Sequence, residues 1–229
     1  MNSQLSAIFN HAVKYYDLKH NPVVKAGSIG KKDAREMDFW TKEEYQKFIE
    51  EVMDKPISFY AFEMLYWCGL RMGELLALTP KDFDFKHNTV RINKSYQRID
   101  KKDVITDPKT PKSVRTIVMP KFLAEEMQEC VGSLYGIEED DRIFEISKNY
   151  LHREMDRGSK AAGVKRIRIH DLRHSHVSML VNQGFTAVDI ANRVGHESID
   201  ITFRYAHMFP STQTEIANRL DQERNEVDE

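Results

Sequence analysis

Apolar residues recur at helical spacing near the start of the chain and predict an amphipathic helix over residues 5–16. The Asn21-Pro22 pair is expected to end this helix. The polar, glycine-bearing segment over residues 25–36 has no periodicity and predicts a linker. One helix before a linker is too little to form a domain, so we expect the chain to begin inside a longer protein.

The next part of the chain has the pattern of a helical core. Thr41 predicts the N-cap of a helix with acidic residues in its first turn. Residues 57–68 are apolar on nearly every side, as in a central buried helix. Gly69 is expected to break that helix, and a further helix over residues 71–78 is expected to end at Thr79-Pro80.

Short β-branched runs then replace the helical pattern. They cover residues 88–96, 103–108 and 114–120 and are separated by charged turns, which predicts a small three-stranded antiparallel sheet. Helical periodicity returns over residues 121–131, 148–162, 171–183 and 187–193. Near the end, Thr212 and Glu215 form a capping box before a short helix with Ile216 and Leu220 on one face. The predicted fold class is α+β, mainly α, with one small antiparallel sheet.

The charge of the chain is nearly balanced overall but unevenly distributed. The formal net charge is −2 and the pI is about 6.5. Residues 90–121 nevertheless hold nine Lys or Arg against three acids, and residues 148–174 hold eight against three. This sorting favours a basic face for a polyanion on a nearly neutral protein. The alternative is an ordinary solvated surface, in which the two signs are more often interspersed.

The sequence contains no run of 18 apolar residues and does not begin as a signal peptide does. We therefore expect a soluble, cytoplasmic protein without membrane association. Cys68 and Cys130 lie far apart in apolar helical contexts, which predicts two buried, reduced thiols.

The stretch HDLRHSH, residues 170–176, concentrates candidate chemistry on one predicted helix. His170 and His174 are four residues apart, as paired metal ligands can be. However, the H-E-x-x-H motif is absent, no cysteine is near, and Arg173 would repel a divalent cation. We predict no metal here. His170 and Arg173 instead have the spacing to face one phosphate, and His174 and His176 are interpreted as local helix histidines.

Further cationic and polar residues could join Arg173 around a phosphate. Arg71 follows the predicted core helix and its glycine break, where a guanidinium could hold two phosphate oxygens. His196 follows the break at Gly195 and can donate a hydrogen bond. Lys109 lies in a turn between two predicted strands, from which its long side chain could reach across a DNA strand.

Four segments, in this order, resemble the successive signature motifs of the tyrosine recombinases, specifically the integrases of phages and conjugative transposons. They are CGLRMGELLAL, PKTPKSVRTIVMP, HDLRHSHVSML and VGHESIDITFRYAHM. The interval of nine residues from His196 to Tyr205 also matches the family. The departures are Val194, where leucine is usual, and Thr79-Pro80, where an aromatic residue often follows. The resemblance implies a catalytic domain over residues 36–229 that ends in a docking helix. Residues 1–35 resemble the end of a truncated core-DNA-binding domain plus linker.

The same resemblance implies a role for each matching residue. Arg71 and Arg173 would bind the scissile phosphate, and His196 would hydrogen-bond to it. Tyr205 would be the nucleophile, Lys109 would protonate the departing 5′ oxygen, and His170 would assist proton transfer at the tyrosine. No cofactor, metal or ATP is implied. Further contacts to DNA, mostly to backbone phosphates, are expected from the basic residues Lys94, Lys112, Arg115, Arg153 and Lys160.

The function implied by the resemblance is that of a site-specific recombinase, an integrase that cleaves and rejoins double-stranded DNA through a 3′-phosphotyrosine intermediate. The expected partners are further copies of the chain, in a tetramer on DNA, and accessory DNA-bending and excision proteins. One alternative is a type IB topoisomerase-like enzyme that nicks and reseals one strand without synapsis. Another is a non-catalytic DNA-binding module, which would have no need of the full set of catalytic residues.

Overall fold

The computed structural model describes residues 2–27, 38–108, 110–199, 202 and 205. The chain forms two compact units, Met1–Met37 and Asp38–Glu229. None of the described helices is both long and apolar enough to cross a membrane. The predicted helix with Ile216 and Leu220 lies outside the described residues.

In residues 2–27, the described part of the first unit, the chain forms two helices, α1 (Asn2–Tyr15) and α2 (Pro22–Ala26). The Asn21-Pro22 pair does not end the first helix, as the sequence pattern predicts, but begins the second. The Asn21 side chain accepts a hydrogen bond from the backbone N–H of Val23 (2.9 Å), and proline suits the first position of a helix. The Asn21 amide also donates to the side chain of Asn10 (2.8 Å), which ties α2 to α1.

The second unit holds the remaining elements. Its helices are α3 (Lys42–Glu50), α4 (Pro56–Cys68), α5 (Met72–Leu75), α6 (Lys121–Ser133), α7 (Lys148–Ala161), α8 (Asp171–Asn182) and α9 (Ala187–Val194). Its strands are β1 (Phe83–Asp84), β2 (Thr89–Ile92), β3 (Ser95–Ile99), β4 (Lys102–Thr106) and β5 (Arg115–Val118). Single 3₁₀ turns cover Pro80–Asp82 and Pro111–Ser113. This content confirms the predicted fold class.

The strands are divided differently from the prediction. A three-stranded sheet has the order β1-β2-β5, and β3 and β4 form a separate antiparallel hairpin. The predicted run over residues 88–96 is therefore two strands, with the break at residues 93–94. The hairpin loop is Asp100-Lys101, and both residues have positive φ (49° and 64°), as a two-residue type I′ turn requires. The sequence does not predict this turn, because both loop residues are charged and neither is glycine.

Helix α4 is the centre of the second unit and packs against α3, α5, α6 and α8. Its side chains are buried almost all round, and Tyr66 stacks on Tyr45 of α3 with ring centroids 3.6 Å apart. Trp40 connects the start of the second unit to α8 and to the segment that precedes α8. Its backbone N–H donates to Ser175 Oγ (2.9 Å) on α8, and its indole donates to the carbonyl of Lys165 (2.7 Å).

The helix predicted over residues 71–78 is shorter in the structure, and the two cysteines are as expected. Helix α5 covers only Met72–Leu75 of the predicted helix over residues 71–78. The three following residues are buried, and Thr79-Pro80 then opens a 3₁₀ turn capped by Asp82. Cys68 and Cys130 are free and buried, as predicted.

The packing of α7 on α3 depends on the absence of a side chain at Gly158. A Cβ atom there would lie 2.6 Å from Cε2 of Phe48 and 2.7 Å from Cγ1 of Val52. We predict that Gly158→Ala lowers the free energy of unfolding by about 1–3 kcal/mol, because overpacking outweighs the gain in helix propensity. Urea denaturation followed by circular dichroism measures this change.

Gly132→Ala is the matched control. Gly132 lies in α6, and a Cβ atom there would have no neighbour within 4 Å. This substitution should raise the free energy of unfolding by about 0.5–1 kcal/mol. Equal effects at the two glycines would contradict the assigned packing of α7 on α3.

Candidate active site

Arg71 is positioned by the turn between α4 and α5. Gly69 ends α4 in the left-handed conformation (φ 61°), and Arg71 is the N-cap of α5. The Arg71 backbone N–H donates to Oε2 of Glu74 (2.9 Å), and its Nη1 donates to Oε1 (2.7 Å). Its Nη2 donates to the carbonyl of Gly195 (3.2 Å). The side chain retains 38% exposure, so the guanidinium is oriented and still accessible.

Glu74 is held in turn by Arg115. The two guanidinium nitrogens Nη1 and Nη2 of Arg115 donate to Oε1 and Oε2 of Glu74 (3.1 and 3.0 Å), and both side chains are 6% exposed. Burial by itself raises the pKa of the Glu74 carboxyl, but the hydrogen bonds and charge of Arg115, together with the charge of Arg71, lower it to about 2. A carboxylate that is charged at neutral pH therefore joins Arg71 and Arg115.

Arg173 lies deeper, at 2% exposure. Its Nη1 donates to the carbonyl of Gly69 (2.7 Å), and its Nη2 donates to the carbonyl of Val194. These carbonyls end α4 and α9, where backbone acceptors lack helical partners and the helix dipoles are negative. Burial and the nearby charge of Arg71 lower the pKa of the Arg173 guanidinium to about 9. It therefore stays charged at neutral pH.

His196 adjoins the two arginines, directly after Gly195. Gly195 caps α9 in the left-handed conformation (φ 67°). The imidazole of His196 is 9% exposed, and its Nδ1 lies 2.8 Å from Oγ1 of Thr202. Burial, followed by the charges of Arg173 and Arg71, lowers the pKa of His196 to about 3. The ring is neutral at pH 7, and a Thr202 hydroxyl that donates to Nδ1 leaves the proton on Nε2.

Tyr205 is 2% exposed, and its hydroxyl forms a hydrogen bond with Nδ1 of His174 on α8. The sequence pattern does not predict this contact, because it assigns His174 a local role on the helix surface. His170 packs edge-on against His174, with ring centroids 5.2 Å apart. The signal that points to it is the spacing of four residues between His170 and His174, which indicates one shared helix face and not only a possible pair of metal ligands.

Several of the predicted site residues lie together because they belong to, or donate hydrogen bonds to, the same short backbone segment. Arg71, Arg173 and His196 meet at residues 194–196, the end of α9. Lys109 lies outside the described residues. Its chain neighbours Pro108 and Thr110 line the same cleft as Arg71 and Glu74.

The five basic residues predicted to contact DNA occupy different environments. Arg115 lies in the interior and supports Glu74, and Lys94 Nζ is paired with Asp82 Oδ2 (2.7 Å) at 17% exposure. A count of charges in a segment does not reveal which cations have an internal partner. The remaining three are exposed: Lys112, which donates to the carbonyl of Glu197 (3.1 Å), and Arg153 and Lys160 on α7.

Metal-ligand types are present at the site but are not gathered into a ligand set. Within residues 2–27, 38–108, 110–199, 202 and 205, no group of three or more His, Cys, Asp or Glu is arranged to hold a metal ion.

Comparison with known proteins gives matches along most of the chain. The sequence model of the phage integrase family matches residues 38–211. The ICEBs1 integrase of Bacillus subtilis (strain 168) is 35% identical, over 96% of this chain and 63% of that protein. The integrase of Mycobacterium phage L5 is 26% identical, over 94% of this chain and 60% of that protein. The chain thus spans about three fifths of the length of these relatives.

Solved structures share the fold at low sequence identity. The Tn1549 transposon integrase in complex with a circular intermediate DNA superposes with a TM-score of 0.78 at 20% identity, covering 97% of this chain and 77% of that chain. The catalytic domain of bacteriophage HP1 integrase superposes with a TM-score of 0.58 at 18% identity, covering 80% of this chain and 95% of that chain.

The Glu74 carboxylate predicts a pH-dependent stability. Its folded pKa of about 2 lies below its ordinary value of 4.5, so its contribution is fully present above about pH 4.5 and is lost as the pH falls towards 2. We expect Glu74→Gln to remove this dependence and to lower the free energy of unfolding at pH 7 by roughly 3 kcal/mol, because two guanidinium groups lose their carboxylate. Urea denaturation at a series of pH values measures both effects.

Glu125→Gln serves as the control, because Glu125 is an exposed acid of α6 paired only with the exposed Lys121 in the described contacts. It should change stability by less than about 1 kcal/mol. A Glu74→Gln variant that behaves like this control would show that the carboxylate does not support the two arginines.

Proposed function

The chain belongs to the phage integrase family, and from this premise we propose that it is a site-specific DNA recombinase that cleaves and rejoins strands through a 3′-phosphotyrosine intermediate. Family membership confirms the resemblance indicated by the four motif segments. The observation that carries the proposed activity is the convergence of Arg71, Arg173 and His196 at the end of α9.

These three side chains would bind the scissile phosphate. A phosphodiester is already negative, and its transition state gathers further charge on the equatorial oxygens. Two guanidinium groups and a neutral Nε2–H donor that are oriented in advance stabilise this charge without a metal ion. The carbonyls of Gly69, Val194 and Gly195, together with Glu74, hold the arginines in place before any substrate binds.

Tyr205 is the proposed nucleophile. An ordinary phenol has a pKa of about 10, so its hydroxyl needs local assistance to attack at pH 7. The product, a phosphotyrosine with a free 5′ hydroxyl, conserves the energy of the broken phosphodiester bond. Attack by the 5′ hydroxyl of another strand then rejoins DNA without ATP, whereas an activated water would only cut. Lys109 is the proposed acid for the departing 5′ oxygen, and the resemblance assigns proton transfer at the tyrosine to His170.

The proposed substrate is double-stranded DNA, and the solved Tn1549 integrase holds a circular intermediate DNA. Lys112, Arg153 and Lys160 are exposed and would contact backbone phosphates. We further propose a homotetramer on DNA, accessory DNA-bending and excision proteins, and action at the nucleoid in a prokaryotic cytoplasm. Residues 1–35 would be the end of a core-DNA-binding domain plus linker, and residues 36–229 a catalytic domain with a docking helix.

Covalent trapping tests the proposed activity. On nicked suicide duplexes tiled across the ends of the mobile element that encodes the chain, the unmodified protein should form a covalent band on a denaturing gel in EDTA. Tyr205→Phe should abolish the band because it removes the attacking oxygen. Tyr135→Phe is the matched control, since Tyr135 is fully exposed. A band that persists in Tyr205→Phe, or that requires a divalent metal, would overturn the proposal.

The products of the same reaction separate the integrase from a topoisomerase-like enzyme. Labelled strands from two duplexes should become joined if the protein recombines them. Resealing confined to one duplex would favour the nicking and resealing alternative.

The phosphate-binding arginines give a second test. We predict that Arg71→Ala and Arg173→Ala each slow covalent complex formation by roughly 100-fold to 1000-fold, because each removes a preorganised donor to the transition state. Single-turnover rates at saturating protein measure this loss. Arg166→Ala is the control, because Arg166 pairs with Asp156 (2.7 Å) outside the site. A near-normal rate in either arginine variant would remove that residue from the phosphate site.

A further inference from the structure

The contact between His174 and Tyr205 has no part in the assignments implied by the family motifs. His174 lies on the second turn of α8, and its side chain is 18% exposed. Its Nδ1 meets the Tyr205 hydroxyl, and the two rings are 5.8 Å apart. The hydroxyl of the proposed nucleophile therefore already has an imidazole nitrogen as a hydrogen-bond partner.

A fixed carboxylate lies on the other side of the same imidazole. Oδ1 of Asp171 is 3.8 Å from Nε2 of His174, and Asp171 is 1% exposed. Arg168 fixes this carboxylate, donating from its backbone N–H to Oδ2 (2.8 Å) and from Nη2 to Oδ1 (2.8 Å). The two ring nitrogens of His174 thus face different groups, Nε2 a buried carboxylate and Nδ1 the Tyr205 hydroxyl.

The negative charge of Asp171, 3.8 Å from Nε2, favours one tautomer of His174. With the proton on Nε2, the ring presents N–H to the carboxylate of Asp171 and a lone pair to the Tyr205 hydroxyl. The other tautomer would place the Nε2 lone pair towards a carboxylate, which is electrostatically unfavourable. In the tautomer with the proton on Nε2, Nδ1 is an acceptor for the hydroxyl proton.

We propose that His174, in place of the His170 that the resemblance assigns to this step, is the catalytic residue that accepts the proton of the Tyr205 hydroxyl during strand cleavage. This inference rests on the proposed function, in which Tyr205 is the nucleophile. The Oη–H bond breaks and its proton moves to Nδ1, while Oη bonds to the scissile phosphorus. The bond from phosphorus to the 5′ oxygen breaks, and that oxygen keeps the electron pair and takes a proton from the acid, the role proposed for Lys109. In rejoining, His174 returns the proton to Tyr205.

The surroundings keep His174 able to accept a proton at neutral pH. Among the described residues, the titratable and charged groups that act on it are His170, Asp171, Arg168, Arg173, His196 and Tyr205. Burial, followed by the influence of His170, lowers the pKa of His174 to about 4, while Asp171 opposes the decrease. The imidazolium formed during attack is stabilised by the same carboxylate.

The tautomer can be measured without DNA or catalysis. In the ¹⁵N-labelled protein at pH 7, the His174 ring resonances, assigned by their loss in His174→Asn, should show a protonated Nε2 and an unprotonated Nδ1. Tyr205→Phe should shift the Nδ1 resonance, because it removes the hydroxyl donor. A proton on Nδ1, or no response to Tyr205→Phe, would overturn the inference whether or not Tyr205 is the nucleophile.

Cleavage kinetics give an independent test on the same nicked duplexes. His174→Ala and His174→Asn should both slow covalent complex formation by about 100-fold to 10,000-fold, the range of general acid–base catalysis. Asparagine keeps an amide near the position of Nδ1 but takes up no proton at these pH values, so recovery of most of the rate in His174→Asn would indicate positioning alone and would overturn the proposal. His152→Asn on α7 is the matched control and should cleave normally.

Two readouts separate proton transfer from a structural effect. The rate for the unmodified protein should fall as the pH drops through the pKa of His174, because a protonated ring cannot accept, and this limb should be absent in His174→Asn. A fluorinated tyrosine at position 205, which ionises at lower pH, should reduce the penalty of His174→Ala. An unchanged pH profile and an unchanged penalty would overturn the inference.

Failure of this inference and failure of the proposed function give different results. If Tyr205→Phe still forms the covalent complex, the proposed nucleophile is wrong, and the role of His174 is overturned with it. If Tyr205→Phe is inert while His174→Asn keeps the rate and pH profile of the unmodified protein, only the role of His174 is overturned.

Discussion

The site depends on holding positive charge in the interior before a negative substrate arrives. Arg173 is almost fully buried, and Arg71 lies close enough to lower its pKa. Two neighbouring guanidinium groups repel each other, and burial removes the water that would screen them. The chain compensates with the Glu74 carboxylate and with backbone carbonyls at helix ends. Phosphate oxygens would add negative charge to an arrangement that already contains a surplus of donors.

Helix termini supply both the acceptors and the geometry of this arrangement. Gly69 and Gly195 both end helices in the left-handed conformation, and each is followed within two residues by a site residue, Arg71 or His196. A Cβ atom at Gly69 would lie 2.7 Å from the ring of His176, so both the backbone angle and the available space require glycine there. The turns that end α4 and α9 therefore expose the carbonyls that bind Arg173 and place the next donors beside it.

Tyr205 is buried to the same extent as Arg173. Its contact with His174 joins it to α8, the helix that also carries Arg173 and is capped by His170. Arg173 and His174 are adjacent in sequence, but their side chains leave α8 in different directions. Arg173 contacts the carbonyls at the ends of α4 and α9, and His174 contacts Tyr205. One helix thus supplies a proposed phosphate-binding group and a partner for the proposed nucleophile.

The sequence by itself determined the positions of most described helices and the order of the family motifs. Helical periodicity located most of the described helices, since the spacing of apolar residues depends only on near neighbours, and the ordered motifs were sufficient to identify the family. Only the tertiary structure decided which charges and rings meet. Arg115 pairs with Glu74 across 41 residues of sequence, and His174 meets Tyr205 across 31. A count of cations in a segment cannot distinguish a cation with an internal partner from one on the surface. The hairpin between β3 and β4 is not evident from the sequence either, because its two-residue loop contains no glycine. These features are set by non-local packing, which brings together groups whose interaction leaves no pattern along the chain.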